Sequence, residues 1–198
     1  MTEIEKYDRL VTRHLILRKA TMKDLDLMWK NIWTSEDMAR RMFWEPVETR
    51  AEAIRRLRKL LQYQQEQFWY LVCIRTTNEP IGTAEVRPLI DYGLDDRNCY
   101  EEFGICVTEK YQSKGYGKEI LHALKRLVFI KLGGDIFYYK CESDNDKSRN
   151  LALMQNFRFE KIRKEYYDDK EVLIIDYYMT RQMYRRELRD RNKIILQI

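Results

Sequence analysis

Residues 107–118 join a strand end, a glycine-containing turn and a helix start in the sequence Val-Thr-Glu-Lys-Tyr-Gln-Ser-Lys-Gly-Tyr-Gly-Lys. The backbone N–H groups of a first helical turn have no intrahelical acceptor, and the helix dipole adds positive potential there. Gly115 and Gly117 can adopt positive φ and let the backbone approach an anion closely, while Lys114 and Lys118 add charge at the rim. The segment therefore predicts a site for an anion such as a pyrophosphate.

Two common phosphate-binding loops do not fit this segment. A P-loop requires glycine where Gln112 stands, and Ser or Thr where Glu119 follows Gly117-Lys118. The dinucleotide fingerprint G-x-G-x-x-G fails at its third glycine, which is Ile120. What remains is the hexapeptide pattern Gln112-x-x-Gly115-x-Gly117, which by itself predicts only an anion site.

Apolar periodicity predicts the elements that position this turn. Strands are predicted over 14–18, 68–74, 81–86, 100–108, 136–141, 159–165 and 172–179. Helices are predicted to begin at Thr21 and Thr49, and to cover 36–42, 118–132 and 146–156. The order predicts one α+β domain over residues 1–180 around a mixed sheet. Residues 181–198 are predicted to form a basic helical appendage.

Two further motifs flank the turn at a fixed order and spacing. Asn145-Asp146-Lys147-Ser148 opens the helix that leads to the sequence Asn-Phe-Arg-Phe-Glu at 156–160. Near the start, residues 12–18 read Thr-Arg-His-Leu-Ile-Leu-Arg, and Asp24 follows. These motifs and the hexapeptide resemble the GNAT acetyltransferases. They are most similar to the RimJ/RimL-type branch, which includes the ribosomal-protein N-terminal acetyltransferases. Asn156 stands where that family usually has glycine, and His14 where it usually has arginine.

The resemblance covers about Val11 to Met179 and implies both a fold and an activity. The implied GNAT fold has a mixed, mostly antiparallel sheet that is splayed at the coenzyme-binding strand and flanked by helices. The implied enzyme is an N-acetyltransferase in which a primary amine attacks acetyl-CoA directly in a ternary complex. The acceptor is either a protein N-terminal amine or a small cationic amine. The implied coenzyme-binding residues are Cys106, Val107, Thr108, Gln112, Ser113, Lys114, Gly115, Tyr116, Gly117, Lys118, Asn145 and Ser148.

The resemblance also implies catalytic roles for Glu102, Ser148 and Asn145. Glu102-Phe103-Gly104 matches the E-x-G pattern that enters the coenzyme-binding strand, so Glu102 is preferred as the base. Glu101 is the alternative, and because side chains alternate along a strand, only one of the two can face the cleft. Both could instead be solvated edge carboxylates, and Glu85 is a further candidate.

The proton donor for the departing thiolate is assigned to Ser148. Many family members place a tyrosine at the position that Ala152 holds here, and Ser148 aligns with the serine that serves this role in the RimJ/RimL-type branch. The alternative is that Ser148 binds only backbone or coenzyme. Asn145 is expected to bind the pantetheine arm or an ordered water, to cap its helix, or to do both.

Composition limits the other classes of function. Cys73, Cys99, Cys106 and Cys141 occur singly, which predicts reduced thiols, no metal site and a cytoplasmic protein. The net charge of +5 comes from interspersed basic and acidic residues, so no nucleic-acid partner is expected. No apolar run has the length of a membrane span, and the chain is expected to be a monomer or a homodimer.

The acceptor is the least defined part of the prediction. The helices within 29–44 and the loop 91–98 are expected to build its cleft, where Trp33, Trp44 and nearby acids suggest a cationic acceptor. The competing prediction is a non-catalytic acyl-CoA-binding protein of the same fold.

Overall fold

The computed structural model describes residues 3–42, 44–89, 98–167 and 170–195. The strands are β1 Arg9–Val11, β2 Leu15–Arg18, β3 Phe68–Ile74, β4 Pro80–Pro88, β5 Cys99–Val107, β6 Ile136–Glu142, β7 Arg158–Tyr167 and β8 Lys170–Thr180. The helices are α1 Glu3–Lys6, α2 Leu25–Met28, α3 Glu36–Arg41, α4 Arg50–Tyr63, α5 Tyr116–Arg126, α6 Asp146–Met154 and α7 Arg181–Ile195. The predicted α+β class is confirmed.

The strands form one mixed sheet in the order β1-β2-β3-β4-β5-β6-β8-β7. β5 and β6 run parallel, while the pairs β1–β2, β2–β3, β3–β4, β6–β8 and β7–β8 are antiparallel. The β5–β6 register runs from Cys99↔Ile136 to Glu101↔Tyr138, although both strands continue beyond it. The sheet is therefore mixed and mostly antiparallel, as predicted, and the splay at β5 stays a prediction.

The chain divides into two compact units, and the candidate site residues are distributed between them. Unit 1 comprises Met1–Val86 and Gly104–Ala123, and it contains the glycine turn with the first part of α5. Unit 2 comprises Arg87–Phe103 and Leu124–Ile198, and it contains Glu102 and α6. The division into a 1–180 domain and a 181–198 appendage stays a prediction.

The core of unit 1 is a buried cluster that the helices place on β3. Leu25 and Met28 of α2, Ile32 after it, Leu57 of α4 and Leu71 of β3 all belong to it. The two predicted capping boxes start these helical segments, Thr21 with Asp24 and Thr49 with Glu52. Each box satisfies backbone donors that the first helical turn leaves without partners.

The core of unit 2 contains a cluster of aromatic rings. Phe129 stacks on Tyr184 of α7 at a ring separation of 5.0 Å and meets Phe137 of β6 edge-on at 6.3 Å. Phe157 lies 5.6 Å from Phe137 and 5.6 Å from Tyr139, both on β6. Stacked and edge-on ring pairs of this kind fix the orientation of β6 within unit 2.

Some boundaries differ from the predicted ones. α5 begins at Tyr116 rather than Lys118, and its C-terminal end continues into a wider π-helical turn over Leu127–Lys131. Gly133, with φ of 64°, ends this segment as predicted, and Asn156, with φ of 65°, ends α6 in the same left-handed conformation. The predicted polar loop 91–98 lies outside the described residues except for Asn98.

Candidate functional site

The turn between β5 and α5 has the geometry of an anion cradle. Ser113 and Gly115 both adopt left-handed conformations, with φ of 60° and 83°, and α5 starts immediately afterwards. Gly115 uses the positive φ that glycine permits, whereas Gly117 lies in the first turn of α5. The physical reason is that the chain must reverse before the helix begins, and Gly117 already has helical neighbours.

The residues present at this turn fit a pyrophosphate group. A Cβ added at Gly115 would meet no other atom within 4 Å, so open space adjoins the backbone there. The N–H groups of Tyr116, Gly117 and Lys118 belong to the first turn of α5, where a helix offers no internal acceptor. Ser113 and Lys114 precede them in the same turn. Backbone donors and open space thus occur together.

The end of β5 shows which of its backbone groups can face a ligand. A Cβ added at Gly82 would lie 2.0 Å from the Cys106 carbonyl oxygen, so this carbonyl faces β4. The Thr108 N–H also faces β4, because it donates to the Ile81 carbonyl at 2.8 Å. Successive backbone groups of a strand point to opposite edges, so the Val107 groups point away from β4. Val107 is therefore the best placed of the three predicted strand residues.

Side chains of unit 1 pack and hydrogen-bond around this turn. Gln112 Nε2 donates to the Val107 carbonyl at 2.9 Å, which ties the turn to the strand end. Cys106 is buried, and its Sγ lies 3.0 Å from Thr83 Oγ1, which gives it the contacts of a core thiol. Lys114 Nζ lies 5.0 Å from the Tyr111 ring centre and adds positive charge beside the turn.

A group of hydrogen bonds that the sequence did not predict holds the start of α5. Glu119 accepts hydrogen bonds from the Thr12 hydroxyl and from the His14 backbone N–H, and its other oxygen lies 2.9 Å from His14 Nδ1. Burial opposes ionisation of Glu119, but these hydrogen bonds outweigh it and hold its pKa below the usual value. The Thr12–His14 segment thus anchors the helix that follows the anion turn.

In unit 2, the start of α6 holds the predicted pair Asn145 and Ser148. Asn145 caps the helix, because its Oδ1 accepts from the Ser148 backbone N–H at 3.1 Å. The Ser148 hydroxyl points to β6, where its Oγ lies 2.7 Å from the Tyr139 hydroxyl. The same hydroxyl hydrogen-bonds the thiol of Cys141, whose pKa burial raises to about 11.

The two candidate bases lie on opposite faces of β5, as alternation requires. Glu101 forms an ion pair with Lys140 of β6. Glu102 is buried, and its charge acts on Tyr139 and Cys141, which lie on the other face of the sheet. Glu102 therefore shares a face with Ser148, while Glu101 is held in an ion pair. Neither is a solvated edge carboxylate, since both side chains are buried.

Sequence reasoning missed Tyr139 and Cys141. Burial, reinforced by the negative charge of Glu102, raises the pKa of Tyr139 well above its ordinary value. Residues 139 and 141 alternate with Lys140 on β6 and so share one face of the sheet. That alternation was visible in the sequence, but the position of α6 on the same face was not.

The region predicted to receive the acceptor is described in part. Trp33 is buried in the core of unit 1, and the Arg56 guanidinium lies 5.4 Å from its ring centre and 4.6 Å from that of Trp44. Both rings thus already have a cation–π contact with Arg56. Glu36 and Asp37 form the first turn of α3, whereas Asp91, Tyr92, Asp95 and Asp96 lie outside the described residues.

The described residues contain neither a metal-binding group nor a helix that could span a membrane. Across 3–42, 44–89, 98–167 and 170–195, no group of three or more His, Cys, Asp or Glu side chains is arranged to hold a metal ion. Among the helices in those same ranges, none has the length and apolar content needed to cross a membrane. The four cysteines are buried and form no disulfide.

Comparison with known proteins places this geometry in one family. The family model described as an acetyltransferase (GNAT) domain matches residues 14–158. A sequence search of curated proteins finds no match. Among solved structures, the chain is similar to a GCN5-related N-acetyltransferase from Brucella melitensis, with 19% identity and a TM-score of 0.76. That alignment covers 89% of this chain and 80% of the other.

Two further similar structures were solved with coenzyme. One is RimL, a ribosomal L7/L12 alpha-N-protein acetyltransferase in complex with coenzyme A, at 19% identity and a TM-score of 0.68. Its alignment covers 86% of this chain and 96% of that one. The other is the microcin C7 self-immunity acetyltransferase MccE with acetyl-CoA and AMP, at 18% identity, a TM-score of 0.69, and coverage of 85% and 93%. At these identities the likeness shows the fold, and the predicted GNAT fold is confirmed.

Proposed function

Because the chain belongs to the GNAT family of acetyl-CoA-dependent acetyltransferases, we propose that it acetylates a primary amine by direct attack in a ternary complex. The acceptor is a protein N-terminal amine or a small cationic amine. The observation that carries the proposal is the turn in which Gly115 has positive φ and open space beside it at the start of α5. Such a turn suits the pyrophosphate of acetyl-CoA.

The coenzyme-binding role of the turn rests on backbone groups. We assign the pyrophosphate to the amides of residues 113–118, with Lys114 and Lys118 at the rim. The pantetheine arm is assigned to the outward edge of β5 at Val107, with Cys106 and Thr108 beside it and Gln112 holding the turn closed. Asn145 and Ser148 are assigned to the far end of the same arm.

Gly115→Ala tests the turn. Alanine carries a penalty of about 1–2 kcal/mol in the left-handed conformation, and its methyl group enters the open space beside the backbone. We expect the dissociation constant for coenzyme A, measured by calorimetry, to rise about tenfold or more. Gly133→Ala is the matched control, because Gly133 has a similar φ of 64° outside the turn. Equal affinities in the two variants would contradict the assignment.

The chemistry is assigned to the face that Glu102 shares with Ser148. Glu102 takes a proton from the acceptor ammonium, and the amine nitrogen forms its bond to the acetyl carbon. The carbon–sulfur bond breaks as Ser148 gives its proton to the departing thiolate, and the second proton of the attacking nitrogen passes to the Ser148 oxygen, which restores the hydroxyl. We assign the stabilisation of the thioester oxygen, as negative charge develops on it, to the backbone N–H of Val107.

Glu102→Gln tests whether Glu102, rather than the adjacent Glu101, is the catalytic base. We expect the turnover number near neutral pH to fall about 10²-fold, because the amine must then lose its proton to solvent. The loss should shrink as the pH approaches the amine pKa, about 7.7–8.0 for a peptide N-terminus and about 10.4 for an alkylamine. The measurement is turnover against pH. Glu101→Gln is the control, and a larger loss in that variant would reverse the assignment.

Acetyl-CoA consumption with a panel of amines tests the function itself. Peptides with free and blocked N-termini, a polyamine and an aminoglycoside are compared by thiol release. Turnover on at least one primary amine is expected, and a blocked N-terminus should be inert. Binding of coenzyme A without turnover on any amine would favour a non-catalytic acyl-CoA-binding protein instead. The four buried free thiols support a cytoplasmic location for the enzyme.

A further inference from the structure

The Ser148 hydroxyl has a partner that the predicted mechanism does not use. Tyr139 on β6 is 2% exposed, and its hydroxyl lies 2.7 Å from Ser148 Oγ, a normal length for a strong O–H···O hydrogen bond. Asn145 holds the Ser148 backbone at the start of α6. The position of the hydroxyl is therefore fixed from two directions, by a helix cap and by a strand side chain.

The surroundings of Tyr139 favour one direction for this hydrogen bond. A buried phenol that found no acceptor would be destabilising, and Ser148 Oγ is the acceptor at hand. Burial and the charge of Glu102 raise the pKa of Tyr139 well above its ordinary value, so the phenol keeps its proton. The distance allows either hydroxyl to donate, and these surroundings favour Tyr139 as the donor and Ser148 Oγ as the acceptor.

This direction leaves the Ser148 proton for another acceptor. One acceptor is the Cys141 thiol, because burial raises the pKa of that thiol and a hydrogen bond from Ser148 partly offsets the rise. A thiol is a weak acceptor that a better one can displace. A thiolate that leaves at the same place would be a stronger acceptor than the neutral thiol, because its hydrogen bond is charge-assisted.

We propose that Tyr139 is a positioning residue whose hydroxyl, by donating to Ser148 Oγ, directs the Ser148 proton to the sulfur of the coenzyme. The inference rests on the proposed function, since it needs the coenzyme sulfur to reach Ser148. Tyr139 would also provide the proposed site with a tyrosine from β6, since Ala152 occupies the α6 position where many family members have one. Tyr139 itself does not touch the reacting atoms.

A binding experiment tests the proposal without turnover. Coenzyme A and desulfo-coenzyme A, which lacks the thiol, are titrated by calorimetry into the wild-type chain, Tyr139→Phe and Tyr177→Phe. The wild type should prefer coenzyme A by about fivefold, the value of one ordinary hydrogen bond. Tyr139→Phe should lose that preference. Tyr177→Phe should keep it, because Tyr177 is also buried and lies opposite Tyr139 on β8, but its hydroxyl is hydrogen-bonded to Arg149.

Kinetics provide the second test. We expect Tyr139→Phe to lower the turnover number about tenfold with the KM for acetyl-CoA within about twofold. In a Ser148→Ala background the same change should have no further effect, because a residue that acts through Ser148 has nothing left to direct. A structural role would instead give additive losses, and additive losses would overturn the proposal.

The remaining outcomes are also decisive. A retained preference for coenzyme A in Tyr139→Phe, or an equal loss in Tyr177→Phe, would refute the role of Tyr139. Normal turnover in Ser148→Ala would refute it too, while the acetyltransferase function would stand. Absence of turnover in the wild type would refute the proposed function, with the titration still reporting on Tyr139.

Should Tyr139→Phe not fold, 3-fluorotyrosine at this position keeps the ring and makes the hydroxyl a stronger hydrogen-bond donor. The preference for coenzyme A over desulfo-coenzyme A should then rise, and a fall would count against the proposal.

Discussion

Ser148→Ala is expected to lower the turnover number about 10²–10³-fold and to leave the affinity for coenzyme A within about twofold. The departing thiolate must gain a proton, and the proposed donor is the Ser148 hydroxyl, which also hydrogen-bonds the Cys141 thiol. The Tyr139 hydroxyl lies 2.7 Å from Ser148 Oγ, and in the proposed mechanism it does not reach the departing sulfur in place of Ser148. Removal of the hydroxyl therefore raises the barrier of the chemical step more than it weakens binding.

The measurement is thiol release at saturating acetyl-CoA, with the coenzyme affinity taken from a separate titration. Ser148→Thr is the matched control, because threonine keeps the hydroxyl at the same helix position and its amide can still donate to Asn145. Threonine should recover most of the turnover. If the Ala variant turns over like the wild type, Ser148 serves only as a helix-terminal or coenzyme contact.

The coenzyme half of the site could be predicted from the sequence because its determinants are local. The hexapeptide from Gln112 to Gly117 encodes a turn and a helix start within a few residues, and Asn145 lies next to the helix that it caps. The family likeness used the same short motifs. Even here the pattern of glycines does not show where the helix begins, and the second left-handed residue of the turn is Ser113 rather than Gly117.

The remaining contacts could not be predicted because they join distant parts of the chain. Glu119 looked like an ordinary exposed acid in the first turn of a helix, whereas it holds Thr12 and His14 by hydrogen bonds. Tyr139 looked like one core aromatic among several on a strand. Which face of β6 receives α6 depends on packing, and alternation alone leaves both faces open.

Lys125→Ala should produce the largest loss of stability, about 3–5 kcal/mol in the free energy of unfolding. Lys125 is completely buried, and its ammonium donates to both carboxylate oxygens of Glu187, at 3.0 and 2.9 Å, and to the Gln155 carbonyl at 3.1 Å. One side chain thus joins the end of α5, the end of α6 and α7. Alanine leaves the Glu187 carboxylate buried without its lysine, which is costlier than the loss of an exposed pair.

Urea unfolding of single and double variants measures this effect. Lys164→Ala is the matched control, because it removes an ion pair of similar length with Glu171 whose side chains are 60% and 43% exposed. That change should alter stability by less than about 1 kcal/mol. The double change Lys125→Met with Glu187→Leu should recover most of the stability, since apolar side chains fill the space and no buried charge remains. A single Lys125 variant as stable as the Lys164 control would show that α7 is held by its aromatic contacts, with Tyr184 on Phe129, rather than by the buried charges.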